Sequence, residues 1–129
     1  MQKSLGFTTI CLIGALMAAR DAATAHHSLS AFDIVGSIEL EGTVQEFRYT
    51  NPHSYIVVKA KGPDGRVATW TLEGVAASSL QRDGWTNRTL KPGDQIRATV
   101  SPLISGGAGG SWTPQGIRFR DGKTVATGR

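Results

Sequence analysis

Hydrophobic and polar residues alternate through most of the chain after residue 36, and this pattern predicts short β-strands. The first strand begins at Ser37 and carries its apolar residues on one face: Ile38, Leu40 and Val44. The alternation then changes phase, because Phe47 and Tyr49 continue it on the opposite parity. A change of phase inside one long strand predicts a bulge or a sharp bend, and Gly42 suits tight curvature.

Further alternating segments predict strands at residues 53–61, 66–73, 95–100 and 112–120, with a short terminal strand near Val125. Turn sequences separate them at Asn51-Pro52, Pro63-Asp64-Gly65 and Leu90–Asp94. The segment Val75–Arg82 does not alternate and contains two alanines and Leu80, so it predicts a short helix that stops at Gly84.

The order of these elements defines the fold class. Three strands, a short helix and two or three further strands predict a mainly β protein. The long, bent first strand favours a small five- to six-stranded OB-like barrel, with the helix between strands 3 and 4. An open two-layer α+β sheet is the competing topology.

The first 25 residues have the pattern of a signal peptide. Lys3 precedes an uncharged apolar run over Leu5–Ala19, and Ala23-Thr24-Ala25 places small residues before a cleavage point. We therefore expect a signal peptide at 1–25, one small β-barrel domain at 26–129, and a periplasmic or secreted product. The apolar run is shorter than the roughly 20 residues of a membrane-spanning helix, so the mature protein is not expected to span a membrane.

Composition excludes several classes of protein. About 100 residues remain after cleavage, too few for a Rossmann or TIM-barrel enzyme. The chain has one cysteine, Cys11, which lies in the predicted leader, so no disulfide framework is expected. The formal net charge is +4, and the basic residues are dispersed rather than clustered, so no nucleic-acid partner is predicted.

No catalytic motif supports an enzyme. The chain has no G-x-S-x-G nucleophile elbow, and its glycine-rich segment Ser105–Gly110 lacks the Lys-Ser/Thr of a phosphate loop. Glu39 and Glu41 share one polar strand face at a spacing that any outward face provides. We therefore predict a non-enzymatic binding module.

The histidines are the group with metal-binding chemistry. Cleavage after Ala25 makes His26 the N-terminal residue, which then offers both its α-amine and its ring nitrogen. His53, or alternatively His27, could supply a third nitrogen, and such a set suits copper(II) or, with another ligand, zinc. Glu73 could add a fourth ligand or orient a ring. The predicted metal residues are thus His26, His27, His53 and Glu73. The plain alternatives are that His27 belongs to a terminal tail and that His53 caps a strand.

The alternative function is a metal-free module that binds a protein or glycan of the cell envelope. A barrel face or the loop Ser105–Gly110 would make the contact, with an exposed tryptophan stacking on the partner. Trp70 is in phase with Ala68 and Leu72 and is expected in the core, while Trp85 is expected to pack at the helix end. Trp112 borders the loop and is the tryptophan predicted to be exposed.

Four ordered sequence pieces resemble a bacterial exported family, the domain of unknown function 6152. They are His26-His27-Ser28; Glu41–Val44 running to Thr50-Asn51-Pro52-His53; Trp70–Glu73 followed by Leu80 and Asp83–Thr86; and Leu90–Asp94 with a late Asp121-Gly122. The resemblance implies a small secreted protein and supplies no reaction. Two features depart from the family pattern: Leu29 stands where an aromatic residue is frequent, and Ser105–Gly110 is rich in glycine.

Overall fold

The computed structural model describes residues 30–125, which contain five strands and one short helix. The elements are β1 (Ile38–Arg48), β2 (Ser54–Lys61), β3 (Val67–Gly74), α1 (Ala77–Arg82), β4 (Gln95–Pro102) and β5 (Gly109–Phe119). The strands close into a barrel in the order β1-β2-β3-β5-β4, with α1 between β3 and β4. This confirms the OB-like barrel, and the open two-layer sheet is wrong.

The predicted leader lies outside the described residues. The barrel belongs to a compact unit that begins at Phe32. Among residues 30–125, no helix has the length and apolar character needed to cross a membrane.

The first strand belongs to two hydrogen-bonded ladders. Its residues Ile38–Thr43 pair with β4, and Glu41–Arg48 pair with β2, both antiparallel. The β1–β2 register shifts between Val44 and Glu46, which is the irregularity that the change of phase predicts. Because β1 joins both neighbours, its bend turns the sheet back on itself and allows the barrel to close.

Gly42 lies where the two ladders overlap, paired with Ala60 on β2 and with Ile96 on β4. A β-carbon added at Gly42 would meet the Lys59 carbonyl oxygen at 2.3 Å and the Ala60 β-carbon at 2.6 Å. Both distances are shorter than van der Waals contact, so the tight bend requires a residue without a side chain.

The helix ends as the sequence predicts. Gly84 adopts φ +84°, and its N–H donates to the Gln81 carbonyl at 3.1 Å. The Trp85 N–H donates to the Leu80 carbonyl at 3.0 Å, which completes a Schellman motif. Leu80 and Trp85 are both buried, so this helix end is also anchored by apolar packing.

All three tryptophans are buried, and this corrects one prediction. Trp70 and Trp85 lie in the core as expected. The prediction that Trp112 is exposed is wrong, because only 1% of its surface is accessible. Trp112 pairs with the buried Val100 across the β4–β5 ladder and points with it into the barrel.

The fifth strand begins earlier than predicted. Gly109, Gly110 and Ser111 pair in parallel with Thr71–Glu73 of β3, which closes the barrel. Gly109 and Gly110, which the sequence predicts to lie in a loop, therefore form part of this seam. The predicted terminal strand is reduced to an isolated bridge between Arg118 and Thr124.

Replacing Gly42 by alanine is expected to destabilise the barrel by about 1–3 kcal/mol, because the added methyl group overlaps the β2 backbone. Thermal unfolding followed by circular dichroism measures the change. The matched control is Gly107→Ala, whose added β-carbon would meet its nearest atom, Leu103 Cδ1, at an ordinary 3.7 Å. Equal stability of the two variants would contradict the steric role of Gly42.

Candidate functional site

His53 and Glu73 lie side by side at one end of the barrel. The Nδ1 atom of His53 is 2.7 Å from the Oε1 atom of Glu73, which is within hydrogen-bond distance. The side chains are 36% and 25% exposed, respectively, so the pair is accessible from solvent without being fully hydrated. The β2–β3 register produces this contact: Tyr55 lies opposite Glu73, and His53 is two residues before Tyr55.

The turn before His53 is fastened to the start of α1. Its Asn51-Pro52 peptide bond is cis. The Thr50 hydroxyl donates to the His53 carbonyl at 2.7 Å, while the Thr50 carbonyl accepts from the Ala77 N–H at 3.0 Å. The Asn51 side-chain oxygen accepts from the Ser78 N–H at 3.1 Å. One of these bonds closes the turn at His53, and the other two attach the turn to the start of α1.

Ser54 attaches the start of β2 to the end of β3. Its hydroxyl donates to the Val75 carbonyl at 2.6 Å, and its backbone N–H donates to the same oxygen at 3.2 Å. Ser54 is fully buried, so little water competes for these bonds. They fix the separation of the two strand ends that carry His53 and Glu73.

The sequence analysis missed the positioning roles of Thr50, Asn51 and Ser54. Ser54 could have been found, because it shares strand parity with Ile56 and Val58 and therefore points inward. The contact from Asn51 to the helix joins residues 27 positions apart, and local sequence carries no signal for it.

Aromatic rings pack inside the barrel behind this end. Gly74 follows Glu73, and a β-carbon at Gly74 would lie 2.3 Å from Trp112 Cε2, so the indole packs directly on this backbone. Trp112 also contacts Trp85 at a ring-centroid distance of 5.2 Å, and Phe47 lies edge-on to both indoles. Trp112 therefore packs on the backbone directly after Glu73, from inside the barrel.

The nearest strand end contributes an ion pair. Two Arg48 nitrogens each lie 2.9 Å from a carboxylate oxygen of Glu46. These hydrogen bonds hold the pKa of Glu46 below its ordinary value and raise the pKa of Arg48. Arg48 lies opposite Tyr55 in the β1–β2 register, and Tyr55 lies opposite Glu73 in the β2–β3 register. The Arg48 charge is compensated by Glu46 on its own strand.

The structure therefore brings together two of the four predicted metal residues, His53 and Glu73. The other two, His26 and His27, lie outside the described residues. Within residues 30–125, no group of three histidine, cysteine, aspartate or glutamate side chains is arranged to hold a metal ion.

The geometry favours one tautomer of His53. A carboxylate at hydrogen-bond distance from Nδ1 favours the proton on that atom. In the neutral ring, the lone pair then lies on Nε2. This nitrogen can accept a proton or bind a metal ion.

Comparison with known proteins identifies a family but no activity. No curated protein and no solved structure matches the chain. Residues 15–112 match the family described as "Family of unknown function (DUF6152)". The match covers most of the chain, including the turn, His53, Glu73 and Trp112. The chain therefore belongs to this family of unknown function.

Proposed function

We propose that the protein is an exported metal-binding module. In this proposal, the Nε2 atom of His53 and the α-amine and ring of His26 bind a transition-metal ion in the periplasm or outside the cell. The observation that carries the proposal is the 2.7 Å contact between His53 Nδ1 and Glu73 Oε1. Histidines that bind metals commonly donate their second ring N–H to a carboxylate in this way.

Glu73 acts in this proposal by orienting His53. A carboxylate oxygen next to Nδ1 faces the edge of the ring that does not bind the metal. The contact keeps the ring in one position, with Nε2 directed away from the carboxylate. The sequence left open whether Glu73 is a ligand or an orienting group, and the geometry supports the second role.

The donor set favours copper(II) over zinc(II). Amine and imidazole nitrogens bind copper(II) more strongly than zinc(II) in the Irving–Williams order. Residues 26–129 contain neither cysteine nor methionine, so the sequence provides no soft sulfur ligand for copper(I).

The metal-free alternative places the contact on a barrel face or on the loop Ser105–Gly110, with Trp112 as its predicted stacking residue. Because Trp112 is buried, that module would need another contact residue. The metal proposal is therefore the better supported of the two.

The direct test is calorimetric titration of copper(II) and zinc(II) into protein expressed with its own leader, its N-terminus read by mass spectrometry. A chain that begins at His26 is expected to bind copper(II) stoichiometrically, with sub-micromolar affinity. One extra glycine before His26 converts the amine into an amide and is expected to abolish this tight binding. Equal binding by both chains would overturn the role of the amine.

Substitutions test the structured half of the site. His53→Ala should remove a ligand, and Glu73→Gln should weaken copper(II) binding by about 10- to 100-fold through loss of ring orientation. Glu39→Gln is the matched control, because Glu39 is an exposed carboxylate on β1, opposite Thr99. Binding that is unchanged in both site variants would leave the metal on the N-terminal segment alone.

Metal affinity is expected to depend on pH. Amine and imidazole nitrogens bind a metal only after losing their protons, so the affinity should fall as the pH is lowered from about 7.5 to about 5.5. Titrations in buffers of different ionisation enthalpy would measure the protons released. Constant affinity over this range would indicate ligands other than nitrogen.

A further inference from the structure

An apolar groove lies at the end of the barrel opposite the His53–Glu73 pair. Four exposed aliphatic side chains line it or follow, within two positions in sequence, a residue that lines it or is hydrogen-bonded to its wall. They are Ile34, Val35, Val67 and Ile104, with exposed fractions of 74%, 95%, 62% and 67%. β3 shows that the two ends are distinct, because Val67 begins this strand and Glu73 lies near its end. An apolar groove with exposed aliphatic side chains near it is a candidate interaction surface.

The groove has a volume of about 470 Å³ and lies between the β2–β3 turn and the β4–β5 loop. Most of its wall is apolar and includes Ile38, Pro63, Val67, Trp70, Pro102 and Leu103. The glycine-rich loop after Leu103 forms one side. This end of the molecule therefore has a concave surface that fits an aliphatic side chain.

A hydrogen-bonded turn at residues 33–36 adjoins the groove. The Asp33 N–H donates to the carbonyl of Pro102, a groove residue, at 2.9 Å. The Asp33 carboxylate accepts from the N–H groups of Val35 and Gly36 at 3.1 and 2.9 Å. The hydrogen bonds of the turn leave the Ile34 and Val35 side chains exposed to solvent. These two side chains could therefore fill a groove of the same shape on another molecule.

Opposite charges lie at the rim. Asp64 and Arg66 both line the groove, two residues apart in the β2–β3 turn. The Asp64 carboxylate accepts from the Arg66 backbone N–H at 2.9 Å, which stabilises the turn. The rim therefore presents one negative and one positive side chain from a single short loop.

We propose that this apolar end binds a second copy of the chain in a two-fold symmetric dimer. The turn at residues 33–36 of each copy enters the groove of the other, and Asp64 faces Arg66 of the partner subunit. A two-fold interface requires a self-complementary patch, and this patch carries both a projection and a groove, and both signs of charge. A bilayer fits less well, since the groove is concave and the rim pair has no net charge to attract anionic lipid.

Sedimentation velocity on the exported protein tests the dimer. The patch is small, so we expect reversible dimers with a dissociation constant on the order of 10 µM, measured between about 1 µM and about 1 mM. Val35→Glu should give a monomer throughout, and it is safe for folding because the side chain is 95% exposed. Val75→Glu is the matched control, since Val75 is 40% exposed and follows β3 at the opposite end.

Charge reversal tests the pairing itself. Asp64→Arg and Arg66→Asp should each weaken the homodimer at least tenfold, because both place like charges across the two-fold axis. Mixing the two variants restores opposite charges at both contacts, so a heterodimer of near wild-type affinity is expected. Thermal unfolding checks that Asp64→Arg, which loses a turn hydrogen bond, remains folded.

Three results would overturn the proposal. The first is a wild-type protein that stays monomeric at every concentration. Binding of this monomer to phosphatidylglycerol vesicles would assign the groove to a lipid surface instead. Another is a dimer that persists in Val35→Glu. The third is a mixture of folded charge variants that remains monomeric.

Discussion

Closure of the barrel depends on the close approach of β1 to β2 at Gly42. Without a side chain at this point, β1 pairs with β4 through its first half and with β2 through its second half. β2 in turn pairs with β3 along its whole length, from Ser54 opposite Gly74 to Lys61 opposite Val67. The contact between His53 and Glu73 depends on this register, because Glu73 lies opposite Tyr55.

The third strand separates two chemically different ends. Its last residues carry Glu73 and pack on Trp112, beside a turn held by hydrogen bonds. Its first residue, Val67, stands exposed beside an apolar groove. The seam between β3 and β5 spans three residue pairs in the latter half of β3. Because β5 does not cover the first half, that half remains available to form a surface.

Strand positions could be predicted from sequence because alternation depends on each residue's own burial. The bend in β1 was predictable for the same reason, since the bulge before Glu46 reverses the parity of Phe47. The burial of Trp112 could not be predicted from alternation, because Pro114 and Gly116 interrupt the pattern in β5. The glycines at 109 and 110 resembled a loop, although their lack of side chains allows close strand pairing. A β-carbon at Gly110 would lie 2.8 Å from the Ser101 carbonyl oxygen.

The sequence predicts which residues could form the candidate site, but it does not predict that His53 and Glu73 are in contact. His53 and Glu73 were candidates by chemical type, yet their contact depends on strand register and on a turn anchored through Asn51. That anchoring has an energetic consequence for the proposed function. Ser54 and the Thr50 hydroxyl already hold the backbone beside His53, so a metal would not need to order this half of the site.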